Sequence, residues 1–290
     1  MGEQRSDWHH YRPVLHLRHF ADGAGLVWAF DHQGRFAPRQ DIPKRLGAEY
    51  FLYAPGRAAQ DPRSDEAEKW FATNVDGPAA TPMGSLASGA IPSGRPERHA
   101  IARFIALQDL RTPSTRDLVL PALSRGLKEE WPTVARETLI ALGDEPTEAD
   151  VSELAAAYRA DVTNAAWLGF IAEHFNAWAR RVNSMHWTLV AAPPNYEWIT
   201  NDVGIVKFRS SWDNAVPFAP GWATGDRWLF PLSPRYAMAL GVQAAGMRGE
   251  ARPRWLKAVN RRQVEDAVQT VYARRRFTFI ERRLRVRAAT

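Results

Sequence analysis

The spacing of apolar residues changes along this chain in a fixed order, and that order narrows the folds open to it. Near the N-terminus, Leu26-Val27-Trp28-Ala29-Phe30 stands between Asp22-Gly23-Ala24-Gly25 and His32-Gln33-Gly34-Arg35. Short aromatic runs flanked by Gly and Asp mark strands and turns. Residues 12–53 therefore read as strand-rich, with Tyr50-Phe51-Leu52-Tyr53 a further short strand. A helix start is expected at residues 65–71, where Asp65, Glu66 and Glu68 suit a helix N-terminus. From 77 to 96 Pro and Gly recur without a clear period, and 87–97 reads as a loop.

From 97 to 182 the period is helical. Ile101, Phe104, Ile105, Leu107 and Leu110 repeat at helical spacing, as do Trp167, Phe170, Ile171, Phe175 and Trp178. Thr112-Pro113 ends one helix, and Ser114 is placed to cap the next. From 185 strand-like runs return at 186–191, 204–208, 228–232 and 236–240. Residues 254–285 then carry a helical stripe of Leu256, Val259, Val264, Ala267, Val268, Val271 and Tyr272. Strands, helices, strands and a last helix argue α+β rather than repeated βαβ units. The expected architecture is an antiparallel β-sheet built from N- and C-terminal segments, with a central helical lobe and a C-terminal helix. The 290 residues are long for one core and short for two independent domains. One domain over 1–290 is expected, with two lobes: about 1–60 and 185–290 mainly β plus the terminal helix, and 61–184 mainly α.

The chain has no Cys, which excludes disulfides, iron–sulfur clusters, Cys-ligated metal and thiol nucleophiles. A divalent cation on His and carboxylates is the cofactor class left open. No run approaches the roughly 20 apolar residues needed to cross a bilayer. No apolar leader follows Met1, so a cytoplasmic protein without a membrane partner is expected. Charge is uneven. Residues 248–290 hold 13 Lys/Arg against 4 Asp/Glu, whereas the remainder holds 25 against 28. A basic tail on a mildly acidic body favours polyanions such as nucleic acid. A solvated Arg-rich helix face gives the same count.

Walker, G-x-G-x-x-G, G-x-S-x-G, His-Glu-x-x-His and EF-hand patterns are absent. His9, His10, His16 and His19 crowd the N-terminus and are half of the eight His. His serves acid–base chemistry near neutral pH, metal binding or plain hydrogen bonding. An extended 15–20 segment puts His16 and Arg18 on one face and His19 on the other. Arg111 and Arg116 bracket a helix junction where two guanidinium forks can hold phosphate or carboxylate, or salt-bridge neighbouring acids. Asp202 follows a strand expected at Thr200-Asn201 and precedes Gly204, a place for a catalytic or metal-binding acid and equally for a turn former. Most of the twelve Trp sit at core spacing. Trp212, Trp222 and Trp228 fall near a loop-rich stretch where they can line a groove that stacks bases.

These segments, in order, resemble the bacterial domain of unknown function family 4238. The resemblance rests on residues 9–20, 26–31 and 49–51, then Phe104-Ile105-Ala106-Leu107-Gln108 through Arg111-Thr112-Pro113 with Arg116. It continues through Ile199-Thr200-Asn201-Asp202, Phe230-Pro231-Leu232-Ser233-Pro234, and Val259-Asn260 to Val271-Tyr272. The chain departs from that pattern at Arg12 and Val14, where the family has Val and Gln, and at Gly204, where Pro is common. The resemblance implies a layout and a residue set: His10, Arg18, Glu49, Gln108, Arg111, Asp202 and Asn260. Two function classes follow as expectations. In the first, a phosphate-substrate enzyme such as a nuclease uses His10 as acid/base. Glu49 or Asp202 then orients His10 or holds a cation, and Arg18, Gln108, Arg111, Arg116 and Asn260 bind substrate. In the second, a non-catalytic protein binds nucleic acid or a partner through the basic C-terminal region, in a stress or phage-defence setting. A small-molecule enzyme using the same cleft is a third option.

Overall fold

The computed structural model describes residues 7–55, 65–143, 145–157, 163–208, 227–241 and 249–288. Strand β1 (Trp8–His10) leads into α1 (Val14–Leu17), a 3₁₀ turn (Arg18–Phe20), β2 (Val27–Asp31), β3 (Arg39–Asp41) and β4 (Ala48–Tyr50). The 15–20 segment is thus helical rather than extended. Pro13 starts it, its carbonyl accepting the His16 and Leu17 N–H groups, and its preset φ suits a helix entry. The turn sends His16, Leu17 and Phe20 inward and leaves Arg18 exposed. The expected strand at 50–53 lies earlier, in β4, because Phe51 takes a φ of +50° that ends it.

The helical part comprises α2 (Glu66–Phe71), a π-helical turn (Ala72–Asp76), α3 (Gly77–Ala87), α4 (Arg95–Leu110), α5 (Pro113–Ala141), α6 (Glu148–Ala157) and α7 (Asn164–Ser184). Helix α3 occupies a Gly- and Pro-rich stretch of weak period. Pro78 lies in its first turn, where a missing N–H leaves nothing unpaired. Ala79, Met83 and Leu86 supply the buried face. The loop expected at 87–97 is cut short by α4, whose Pro96 again sits in the first turn. Thr112, not Ser114, caps α5: its hydroxyl accepts the Thr115 N–H, and Pro113 opens the helix.

The remaining elements are β5 (His186–Ala191), β6 (Thr200–Asn201), β7 (Val206–Phe208), β8 (Arg227–Pro231), β9 (Tyr236–Gly241), β10 (Gly249–Glu250), α8 (Pro253–Asp266), β11 (Thr270–Ala273) and α9 (Thr278–Ala288). The stripe read across 254–285 is therefore broken. Val271 and Tyr272 belong to a strand, where Thr, Val and Tyr are favoured.

Among the described residues there are three sheets. Strands β1 and β4 form an antiparallel ribbon. A four-stranded antiparallel sheet in the order β3-β2-β11-β6 joins N- and C-terminal segments. A five-stranded sheet in the order β10-β5-β9-β8-β7 is antiparallel except for β10 against β5. In the two larger sheets alternation sends side chains of the inner strands into cores on both faces. Trp228 and Phe230 of β8 pack with α4 and α7, while Leu229 meets Leu256 and Val259 of α8. Phe30 and Val271 face Val264, Ile280 and Leu284; Val27, Ala29 and Tyr272 face Leu17 and Phe20. The fold class is α+β.

Candidate functional site

Two constellations carry most of the polar chemistry. The first gathers residues from both ends and the middle of the sequence. The register of β1 on β4 sets His10 opposite Ala48 and His9 opposite Glu49. The His10 backbone N–H donates to Glu68 Oε1 at 2.9 Å. Its ring lies 3.4 Å from the same oxygen through Nδ1 and 3.1 Å from the Lys44 carbonyl through Nε2. His9 is buried; its Nδ1 accepts the Tyr53 N–H and its ring stacks on Tyr53.

Glu49 takes a 2.7 Å bond from Arg116 and a weaker one, 3.4 Å, from the Gln269 side chain. Asp202 is buried to 1% exposure, and its carboxylate accepts the backbone N–H groups of Val268, Gln269 and Thr270. Burial raises its pKa to about 6, against the pull of those N–H groups. Gln269 is the hinge of this group: its backbone binds Asp202, its amide binds Glu49, and its carbonyl oxygen accepts from Tyr11 Oη at 3.1 Å.

Arg111 is fully buried and forks onto Asp76, both bonds 3.0 Å. Burial lowers its pKa, but Asp76, Tyr53 and Glu68 together outweigh that and the pKa is raised. Burial also raises Asp76, against Arg111. Gln108 donates to the Tyr11 carbonyl, with its own carbonyl oxygen unpaired. The structure thus joins Glu49 directly to Arg116 and, through Gln269, to Asp202. His10 lies with Glu68, whose charge also acts on Asp76 and Arg111. Arg18 stands exposed, apart from them. Asn260 is elsewhere, its amide bridging the Glu197 carbonyl and the Ile199 N–H.

The sequence marks His16 within the N-terminal histidine cluster and Arg12 by the resemblance, but does not pair the two; they form a buried pair behind this group. Arg12 donates to His16 Nδ1 at 2.7 Å and to Thr200 Oγ1 at 3.0 Å. His16 in turn bonds the Pro231 carbonyl through Nε2 at 2.7 Å, which fixes the neutral imidazole with its proton on Nε2. Burial, then Arg12, pushes His16 well below its ordinary value. Burial lowers Arg12 to about 10. Asp76 and Gln269 were missed because their partners are remote in sequence, and Arg12 because an extended reading of the 15–20 segment hides the helical turn that brings His16 to it. Pro13 was the one local signal, since it forces the turn that brings His16 back to Arg12.

The second constellation is a groove of about 440 Å³ between the 195–197 loop, α8, α9 and the segment joining β11 to α9. Lys257, Arg261, Arg275, Arg282 and Arg283 line it together with Tyr196, Phe277, Phe279 and Glu197. Leu256, Val259, Asn260 and Val264 are buried positions of α8, and Leu256 and Asn260 also border the groove. Lys257 and Arg261, four apart, therefore share the outer face. Lys257 lies 5.3 Å over the Tyr196 ring and Arg275 4.9 Å over Phe277. Arg283 pairs with Glu265. Arg261 and Arg282 make no ion pair among the described residues. Trp228 does not line this groove; it is fully buried beside Trp178. Trp212 and Trp222 lie outside the described residues.

A smaller cleft of about 320 Å³ holds Asp109, Ser114, Thr115, Asp117, Lys207 and Asp266. Lys207 and the Trp178 indole N–H both bind Asp109 Oδ2 there. Among the described residues, no group of three or more His, Asp or Glu is placed to hold a metal ion. No described helix is long and apolar enough to cross a membrane.

Comparison with known proteins gives one match. The family model described as "Protein of unknown function (DUF4238)" covers residues 8–277. No curated protein and no solved structure matches the chain.

Proposed function

Starting from a chain that belongs to the DUF4238 family, we propose that it is a non-catalytic protein binding single-stranded nucleic acid through the basic groove on α8 and α9. The observation that carries this reading is the lining of that groove, five cations interleaved with three aromatic rings. Cations follow a phosphate backbone, and rings stack on any base. Like charges four apart on a helix, as at Lys257 and Arg261, destabilise it by a few tenths of a kcal/mol. A polyanion relieves that repulsion. Among the described residues Arg261 and Arg282 are in no ion pair, which leaves their guanidinium groups available to phosphate.

A hydrolytic centre at the N-terminal constellation has less support. His10, Glu49 and Asp202 each have their own protein partners, and Asp202 is closed over by three backbone N–H groups. One experiment separates the readings. Labelled single-stranded RNA and DNA are titrated with protein over a salt series, and the strands are checked for cleavage with and without Mg²⁺. Binding that weakens steeply with salt is expected. Replacing Arg261 and Arg282 by Glu should lower affinity at least about tenfold and flatten the log–log salt slope by about 0.7 per lost contact. An unchanged slope would remove the groove from the interface. Cleavage abolished by His10→Ala would return the protein to the hydrolase class.

A further inference from the structure

One lining residue does not suit a groove made for phosphate alone. Glu197 is 9% exposed and carries a negative charge among the cations. Its Oε1 is taken by Arg274, while its Oε2 has no hydrogen bond and lies 3.4 Å from Arg275 Nε. A buried acceptor with spare capacity calls for a donor. Backbone phosphates offer none, and the anion weakens their attraction. Base edges do offer donors, and carboxylates read them by accepting hydrogen bonds.

We infer that the groove selects guanine and that Glu197 reads it; this rests on the nucleic-acid reading above. Guanine alone among the four bases presents two adjacent donors, N1–H and the N2 amino group, which match the two oxygens of one carboxylate. Cytosine and adenine each present one amino group beside an acceptor, and uracil one N–H between acceptors, so a carboxylate repels part of each edge. Tyr196, Phe277 and Phe279 supply ring faces for the base. Lys257, Arg261 and Arg282 supply charge for its phosphate. To accept both guanine donors, Glu197 yields one arginine, and Arg274 and Arg275 are exposed enough to turn to solvent or phosphate. The same chemistry covers a guanine within a strand and a free guanine nucleotide.

The test is competition by GMP, IMP, AMP, CMP and UMP against a labelled mixed-sequence single strand, with direct calorimetric titration of GMP as a second arm. GMP is expected to compete about tenfold better than AMP, CMP or UMP. IMP, which keeps N1–H and lacks the amino group, should fall between. In Glu197→Gln the order should collapse to within about twofold. The GMP–IMP comparison uses the native protein, so the idea stays testable even if that variant folds poorly. Equal competition by all five nucleotides overturns guanine selection and leaves strand binding intact. GMP binding without strand binding supports guanine recognition and overturns the nucleic-acid reading. Binding of neither overturns both.

Discussion

Asp202 buries its carboxylate under the turn that enters β11, and three backbone N–H groups do not fully repay the loss of water. Its pKa rises from an ordinary 3.8 to about 6. The folded state therefore holds this proton more tightly than the unfolded chain, so stability falls as pH rises from about 4 to about 6 and is level above. The shift corresponds to about 3 kcal/mol in full. Asp202→Asn removes it. Urea unfolding at pH 4 and pH 7 should show the stability of wild type relative to the variant falling by about 2 kcal/mol across that interval. A constant difference would mean that water reaches the carboxylate. The sequence placed an acid here correctly beside a turn, but its partners lie in a segment 66 to 68 residues downstream, beyond any local spacing rule. Contact also ties Arg12 to Gly204. A Cβ built on Gly204 would lie 2.0 Å from Arg12 Nη1, and Gly204 has a φ of +86°. Arg12 thus occupies the space that any side chain at position 204 would need.

Secondary-structure elements were legible where apolar residues recur or run together locally. Helices α4, α6 and α7 and strands β2, β5, β7, β8 and β9 follow their apolar periods because sequence-local burial decides them. The misread segments share a cause. In α3 the Pro and Gly hide a buried face, and at 270–273 a helical spacing continues by chance from α8. There β11 instead fills the gap between β2 and β6, a pairing set by segments distant in sequence. The π-helical turn before α3 is also invisible to periodicity, yet it presents Asp76 to Arg111. Such turns occur mostly as single insertions, frequently at functional positions. Here the consequence is structural, because Arg111 is a fully buried cation whose ion pair is this fork. Asp76→Ala strands that charge and should cost about 3–5 kcal/mol in chemical denaturation. Asp76→Asn, which keeps one acceptor, should cost less. A loss below about 1 kcal/mol for the Ala variant would mean that Glu68 takes over the guanidinium.

For the molecule as a whole, connectivity decides whether the helical and β lobes are separable. The largest apolar cluster contains Tyr11, Leu52 and Tyr53 from the first lobe segment, Phe104, Leu107 and Trp167 from the helices, and Trp228, Phe230 and Met238 from the five-stranded sheet. The four-stranded sheet ties residues 27–41 to 200–201 and 270–273. Because this largest cluster is shared, exposing the helices also exposes the apolar face of the five-stranded sheet. Thermal unfolding should accordingly be a single transition, with tryptophan fluorescence and far-ultraviolet circular dichroism giving the same midpoint. The probes are well placed for this. Trp28 reports the four-stranded sheet, Trp167, Trp178 and Trp228 the shared core, and circular dichroism the helices. Midpoints that separate would show the lobes to be independent folding units. In the single-transition case, a polyanion bound at α8 and α9 raises the midpoint of every probe together, because ligand bound to the folded state stabilises the whole cooperative unit. Its effect should fade as salt is added, since the attraction comes from charges on the outer surface.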